Sequence, residues 1–203
     1  MKFRLLILSL VLAGTFLSFS SCKKGENDPF LSLSSRKARL TGEWKLTNAL
    51  WTIQSGSDIV TYSYDGTQMT QTYNNDSYNY AYSETLSILK DETFTSVVSE
   101  PDDWFETIMV TTTINGIWYF VDGNKNLDIK NAERVCFQAT KETTSFDSDT
   151  EIHKYEGTSN NNVSLILLDE LKNKEFIQKI DYEYTNDSGD LTVYSGTKTY
   201  TLK

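Results

Sequence analysis

Residues 78–98 read YNYAYSETLSILKDETFTSVV and contain two β-strand patterns separated by the polar tripeptide KDE. In the first pattern every second side chain would lie on the same face of a strand. These side chains are Tyr78, Tyr80, Tyr82, Glu84, Leu86 and Ile88. The second pattern is rich in Val, Thr and Phe, which favour strands. We therefore predict two antiparallel strands, residues 78–89 and 93–98, joined by a short turn.

Similar patterns recur from Glu43 to the end of the chain. The further predicted strands are residues 44–53, 59–64, 67–73, 107–114, 117–121, 135–143, 163–168, 176–184 and 191–202. The pairs Asp65-Gly66 and Asn115-Gly116 accept a positive φ at low cost, so we expect each to close a tight hairpin. Pro101 lies outside the predicted strands, and a short helix with a serine cap is predicted over residues 34–40.

Consecutive strands joined by short turns pair as neighbours, which gives an antiparallel up-and-down meander. Such a meander leaves two unpaired edges unless it closes on itself. We therefore predict an all-β domain over residues 34–203 that closes into a barrel of eight to ten strands. A sandwich of two β-sheets remains the alternative.

The N-terminus has the pattern of a secretory signal peptide. Lys2 and Arg4 precede an apolar run, residues 5–19, which is shorter than the roughly 20 residues that a membrane-spanning helix needs. Ser20 and Ser21 then lead to Cys22, an ending that resembles a bacterial lipobox. We expect residues 1–21 to be removed, Cys22 to be lipidated and residues 22–33 to form a tether. The protein would then be held on the lipid bilayer of the outer membrane, at its periplasmic or its outer face.

Composition narrows the possible partners. Loss of residues 1–21 removes Lys2 and Arg4, so 17 basic residues face 28 acidic ones and the formal charge falls from −9 to −11. Phosphate repels such a surface, which argues against nucleic acid as a partner. Apart from Cys22, the only cysteine is Cys136, so no disulfide within the chain is expected.

Residues 39–46, RLTGEWKL, resemble the start of a lipocalin-type barrel, where Gly-x-Trp opens the first strand. Further segments are similar to lipocalin-like lipoproteins of Bacteroidetes: residues 28–33, 35–40, 116–120, 133–137, 171–175 and 199–202. The resemblance implies a small lipid-anchored barrel with Gly42, Trp44 and Trp118 as fold-signature residues. It also implies that Trp44 packs at the closed end of the barrel, often under an Arg from the last strand. Here the last predicted strand carries Lys198 instead.

The aromatic residues are the best candidates for a binding site. Trp51, Tyr62, Tyr80 and Tyr82 could line a cavity or form a surface on which sugars stack. The alternative is an ordinary packed sheet, because tyrosine is a favoured strand residue.

A second candidate is a metal site in which oxygen ligands follow the spacing of a calcium-binding loop. Its residues are Asp122, Asn124, Asn126, Asp128 and Glu133. Leu127 stands where the sharp turn of such a loop needs Gly, and predicted strands flank the segment. An ordinary polar turn supplies the same residue types, so we favour that interpretation.

Nothing in the sequence forms a catalytic motif. His153 is the only histidine, and it lies in a polar segment, residues 147–156, that we expect to be an exposed loop. No cofactor motif is present. We therefore expect a non-enzymatic barrel that binds a small apolar or amphipathic molecule, or that serves only as a structural module of the cell envelope. The alternative hypothesis is a β-sandwich that binds glycans or proteins at the cell surface.

Overall fold

A computed structural model of the chain describes residues 35–102, 108–129, 133–146, 149–157, 162–186 and 189–203. The predicted signal peptide, Cys22 and the tether lie outside the described residues. Helix α1 is Arg36–Leu40, and a 3-10 turn covers Lys125–Leu127. The strands are β1 (Gly42–Ser55), β2 (Asp58–Tyr64), β3 (Gln68–Tyr73), β4 (Asp76–Ala81), β5 (Ser83–Ile88), β6 (Thr93–Pro101), β7 (Met109–Val121), β8 (Arg134–Phe146), β9 (Asp149–Lys154), β10 (Val163–Leu171), β11 (Glu175–Thr185) and β12 (Leu191–Leu202).

Eight of these strands form a closed antiparallel barrel in the order β1, β5, β6, β7, β8, β10, β11, β12. Closure depends on β1, which pairs with β12 through Trp44↔Leu202 and with β5 through Gly42↔Ile88. The predicted all-β barrel is confirmed, and its architecture is consistent with a lipocalin-like barrel. The alternative of two separate sheets is wrong, because strand pairing continues around the ring and leaves it no free edge.

Two additions branch from the barrel. Residues 42–45 of β1 pair with β5, whereas residues 49–55 pair with β2, which carries β3 and β4 beyond it. We call β2, β3 and β4 the side sheet. Strand β8 divides in the same way, with residues 134–138 paired to β10 and residues 141–146 paired to β9.

The predicted hairpin at Asn115-Gly116 is wrong, because β7 runs without interruption through both residues. The register between β7 and β8 shifts between Asn115 and Gly116, so the pair marks a β-bulge. A Cβ atom on Gly116 would collide with the carbonyl oxygen of Gln138 on β8. Glycine is therefore needed at position 116 because two strands approach closely there, and not because the chain turns. By contrast, Asp65-Gly66 does lie in the turn between β2 and β3, where Gly66 has a φ of +99°.

Three other predictions from the sequence also need correction. Residues 78–89 form two strands instead of one, because the chain leaves the side sheet at Ala81 and enters the barrel at Ser83. Pro101 is the last residue of β6 rather than part of a loop. The segment around His153 contains β9, whose six residues are all exposed. Its strand form depends on backbone pairing with β8 and not on buried side chains.

One end of the barrel, which we call the closed end, is filled by large side chains beneath α1. Ser35 caps this helix by accepting a hydrogen bond from the Ala38 amide. The Trp44 indole donates to the Leu40 carbonyl at 2.8 Å and packs edge-on against Phe176, with ring centroids 5.0 Å apart. Arg39 donates to the carbonyl of Leu171. Other buried residues here include Leu46, Ile88, Trp118 and Val135.

Trp44→Ala should lower the free energy of unfolding by about 3–5 kcal/mol, because the ring is fully buried at the closed end. Urea unfolding followed by circular dichroism measures the change. Tyr184→Ala on β11 is the control, since this ring is 58% exposed and its loss should cost no more than about 0.5 kcal/mol. Equal effects of the two substitutions would show that Trp44 is not a core residue.

Candidate functional site

A cavity of about 290 Å³ lies inside the barrel and is partly open to solvent. It forms because several inward-facing residues are small, among them Ser96, Ala139 and Ser164, and leave space between the strands. Its apolar wall is formed by Leu86, Phe94, Ile114, Phe137, Ile166 and Phe176. The barrel is therefore packed solidly at its closed end and hollow beyond it.

A nearly buried carboxylate, Glu84, lies in the wall of this cavity with its side chain 12% exposed. Its Oε2 accepts hydrogen bonds from Lys198 Nζ at 2.8 Å and from the Tyr82 hydroxyl at 2.9 Å. Its Oε1 accepts a hydrogen bond from the Tyr200 hydroxyl at 2.5 Å. We call these four residues the Glu84 cluster.

The Glu84 cluster holds its carboxylate ionised. Burial raises the pKa of Glu84, but the Lys198 ammonium and three donated hydrogen bonds outweigh burial and leave the pKa below its ordinary value of 4.5. Burial and the neighbouring carboxylate raise the pKa of both Tyr82 and Tyr200, so these hydroxyls stay protonated and donate. The cluster is thus an ion pair with two fixed phenol donors.

A second space of about 530 Å³ lies against the side sheet, and we call it the aromatic groove. It brings together all four aromatic residues proposed from the sequence: Trp51, Tyr62, Tyr80 and Tyr82. Trp51 and Tyr62 stack with centroids 4.8 Å apart and planes 6° apart. The groove is also lined by Ile53, Gln71, Tyr78, Glu100, Pro101, Asp102 and Lys198.

Lys198 belongs to both spaces. Its ammonium pairs with Glu84 on the cavity side and lies 5.4 Å from the centre of the Trp51 ring on the groove side. Sequence reasoning missed the Glu84 cluster, because Glu84 and Lys198 lie 114 positions apart in the chain. The sequence offered one signal for this site. Glu84 places a carboxylate in a row of alternating side chains that is otherwise aromatic or apolar and that continues to Leu86 and Ile88.

In the candidate metal segment, residues 122–129 form a tight turn after β7. Asn124 pairs with Ile129, and the Asn124 side-chain oxygen accepts a hydrogen bond from the Asn126 amide at 3.0 Å. The Asp122 carbonyl accepts from Arg134 at 2.7 Å, and Asp128 has a φ of +53°. Neither Asp128 nor Glu133 belongs to a potential metal cluster, since no three His, Cys, Asp or Glu residues lie close enough to hold a metal among the residues described.

The remaining candidates lie apart from both spaces. His153 is exposed on β9, with its Nε2 atom 3.3 Å from a Glu151 oxygen. Cys136 is buried on β8. Gly42 opens β1 and Trp118 packs near the closed end, where its indole donates to the Leu89 carbonyl at 2.9 Å.

A scan against protein-family models finds no match for this chain, and a search of curated proteins finds none either. In the part of the chain that the structure describes, no helix has the length and apolar character needed to cross a membrane. A functional interpretation therefore depends on the geometry of the barrel cavity and of the aromatic groove.

Glu84→Gln should lower the free energy of unfolding at pH 7 by about 3 kcal/mol, because it leaves the largely buried Lys198 without its carboxylate. In the wild type, the contribution of Glu84 is present above its unfolded pKa and is lost as pH falls through the lower folded pKa. The difference in unfolding free energy between the wild type and Glu84→Gln should therefore shrink as the pH falls below about 4.5. Urea unfolding at pH 7 and at lower pH measures it.

Glu183→Gln, on an exposed position of β11, is the control and should have little effect at either pH. A difference between wild type and Glu84→Gln that stays constant with pH would contradict the ionised Glu84 cluster.

Proposed function

We propose that this protein is a membrane-anchored, lipocalin-like lipoprotein that binds a small apolar or amphipathic molecule inside its barrel and catalyses no reaction. The observation that carries the proposal is the cavity of about 290 Å³, which has an apolar wall and partial access to solvent. An eight-stranded barrel either fills its interior with side chains or keeps room for one small ligand. The space left by Ser96, Ala139 and Ser164 favours the second arrangement.

The cavity wall also supports an amphipathic ligand. Phe94, Phe137 and Ile166 offer apolar contact, and each methylene group that a ligand buries there contributes roughly 0.8 kcal/mol. Hydrogen-bonding groups within the same wall come from Gln178 and from three members of the Glu84 cluster: Glu84, Lys198 and Tyr200. A molecule with a short apolar segment and one uncharged polar group would match both parts of the lining.

The chemistry of the polar groups supports a binding role over catalysis. A general acid needs a pKa raised toward neutrality, whereas the surroundings of Glu84 lower its pKa. His153 lies on β9 with an exposed side chain, away from both the cavity lining and the groove lining. The proposal therefore assigns Glu84 to the framework of the binding site.

The membrane anchor is proposed from the N-terminal pattern that ends at Cys22. The chain enters the barrel at Ser35 and α1, beside the closed end, so a tether from a lipidated Cys22 would join the domain there. The cavity would then lie on the side of the closed-end core away from the point of attachment. This arrangement suits a protein that is held on the outer membrane and takes up a ligand from the surrounding compartment.

Ligand binding is tested by filling the cavity. Full-length protein in lipid nanodiscs, which contain no free detergent to compete for the cavity, is mixed with 1-dodecanol. Native mass spectrometry of the protein released from the nanodiscs counts the bound dodecanol molecules. Ser96→Leu places a larger side chain in the cavity lining and should reduce the bound fraction at least tenfold. Ser87→Leu is the matched control, because Ser87 alternates with the buried Leu86 and Ile88 and therefore faces away from the interior.

The wild type and Ser87→Leu should each bind one dodecanol. Absence of binding in the wild type, or equal binding by Ser96→Leu and Ser87→Leu, would overturn the proposal of a ligand inside the barrel.

The anchor is tested with Cys22→Ala, which removes the nucleophile for lipid attachment. The wild type should sediment with membranes after a high-salt wash, whereas the variant should remain in the supernatant. Cys136→Ala is the control, because its thiol is buried in β8 and cannot accept an acyl chain. Sedimentation of Cys22→Ala with washed membranes would show that acyl chains do not hold this protein.

A further inference from the structure

The aromatic groove is distinct from the barrel cavity because the side sheet forms much of its lining and contributes nothing to the lining of the cavity. The barrel closes through β1, β5 and β12 without any contribution from the side sheet. The side sheet adds three strands whose inner face continues from β1: Trp51 pairs with Tyr62, Tyr62 with Gln71, and Gln71 with Tyr78. These four residues form one row across the floor of the groove.

The rings in this row have defined positions. The Trp51 ring stacks on the parallel ring of Tyr62 and also lies 5.4 Å from the Lys198 ammonium. Gly196 pairs with Trp51 on β12, and a side chain at Gly196 would collide with the β1 backbone at Leu50. At the far end of the row Tyr78 stacks on Tyr80 with centroids 5.7 Å apart, and Tyr78 remains 44% exposed. The groove thus presents a preformed aromatic surface to solvent.

The charges of the groove limit what it can bind. Glu100 and Asp102 lie in its wall, and Lys198 is already paired with Glu84. The whole chain has a formal charge of −9, so an anionic ligand would be repelled. A cationic ligand would meet the Lys198 ammonium, which already occupies the cation–π position over Trp51. The arrangement therefore favours an uncharged ligand.

The lining also specifies the chemistry of that ligand. Aromatic rings provide apolar contact surface, while Gln71, Glu100 and Asp102 can accept hydrogen bonds from hydroxyl groups. Tyrosine hydroxyls both donate and accept. A volume of about 530 Å³ lies within the range of roughly 300–1,000 Å³ that is typical of ligand pockets. Sugar rings combine apolar C–H faces with many hydroxyl groups and carry no charge.

We propose that the aromatic groove is a second binding site, that its ligand is a neutral saccharide, and that Tyr62, Tyr78 and Asp102 contact the sugar. Apart from Lys198, the residues that line this site differ from those that line the barrel cavity, so either proposal can fail alone. The side sheet does not contribute to barrel closure, and under this proposal its function is to form the saccharide site.

Isothermal titration calorimetry tests the site with full-length protein in polyoxyethylene detergent, which carries no sugar headgroup. The probes are four neutral hexasaccharides: an α-1,4-glucan, a β-1,4-glucan, a β-1,4-xylan and an α-1,6-mannan. At least one should bind with a Kd below about 1 mM. Tyr78→Ala should weaken that binding at least tenfold, whereas Tyr119→Ala, a ring of similar exposure on β7, should not change it.

Asp102→Asn keeps the size of the side chain and should also weaken binding, which provides a test if Tyr78→Ala fails to fold. Ser96→Leu, which fills the barrel cavity, should leave saccharide binding unchanged. Conversely, Tyr78→Ala should leave dodecanol binding unchanged, so the two sites are distinguished. The proposal is overturned if no hexasaccharide binds below about 1 mM, if Tyr78→Ala and Tyr119→Ala bind equally well, or if choline chloride displaces the bound sugar.

Discussion

The structure depends on how β1 divides its hydrogen bonds between neighbours. On one side β1 pairs with β12 from Trp44 to Ser55, and this ladder closes the barrel. On the other side β5 uses only residues 42–45, and β2 takes over from residue 49. A β-strand offers one ladder on each side, so β5 cannot continue along β1 once β2 is paired there. The filled closed end, the hollow interior beyond it and the aromatic groove all follow from this division.

The Glu84 cluster lies where β5 and β1 part. Glu84 is on β5, and it reaches Lys198 and Tyr200 on β12, the strand on the other side of β1. Ala49 pairs with Lys198 in the β1–β12 ladder, and its methyl side chain occupies little of the space between β5 and β12. The ion pair therefore links two strands that do not share hydrogen bonds at this level. It also places Lys198 in the walls of both spaces, so one buried interaction maintains the shape of the cavity and of the groove.

The closed all-β fold could be predicted from the sequence because local residue patterns reveal the strands and the short turns between them. A meander of that many strands would leave two free edges unless it closed. Prediction from the sequence failed where one local pattern fits two structures. The alternation from Tyr78 to Ile88 keeps one face inward on both sides of Tyr82, so periodicity does not reveal that the strand changes partners there. Asn115-Gly116 suits a hairpin and a bulge equally well, and only the approach of Gln138 decides between them. The four aromatic residues of the groove could be predicted from residue type, whereas the partners of Glu84 depend on barrel closure and could not.

Buried packing and open space lie at different levels along the barrel axis. Trp44, Trp118 and Phe176 are fully buried at the closed end, whereas Tyr78, Tyr182 and Tyr184 in the other half are 44–58% exposed. Local stability follows the density of buried contacts, so the closed end should open last and the half that carries the groove should open first. The buried core reaches the side sheet at Tyr64 and Met69, and the residues beyond them have more packing freedom. Because fewer side chains must pack tightly there, a small barrel can keep an unfilled cavity. It can also carry the three strands of the side sheet, which barrel closure does not require.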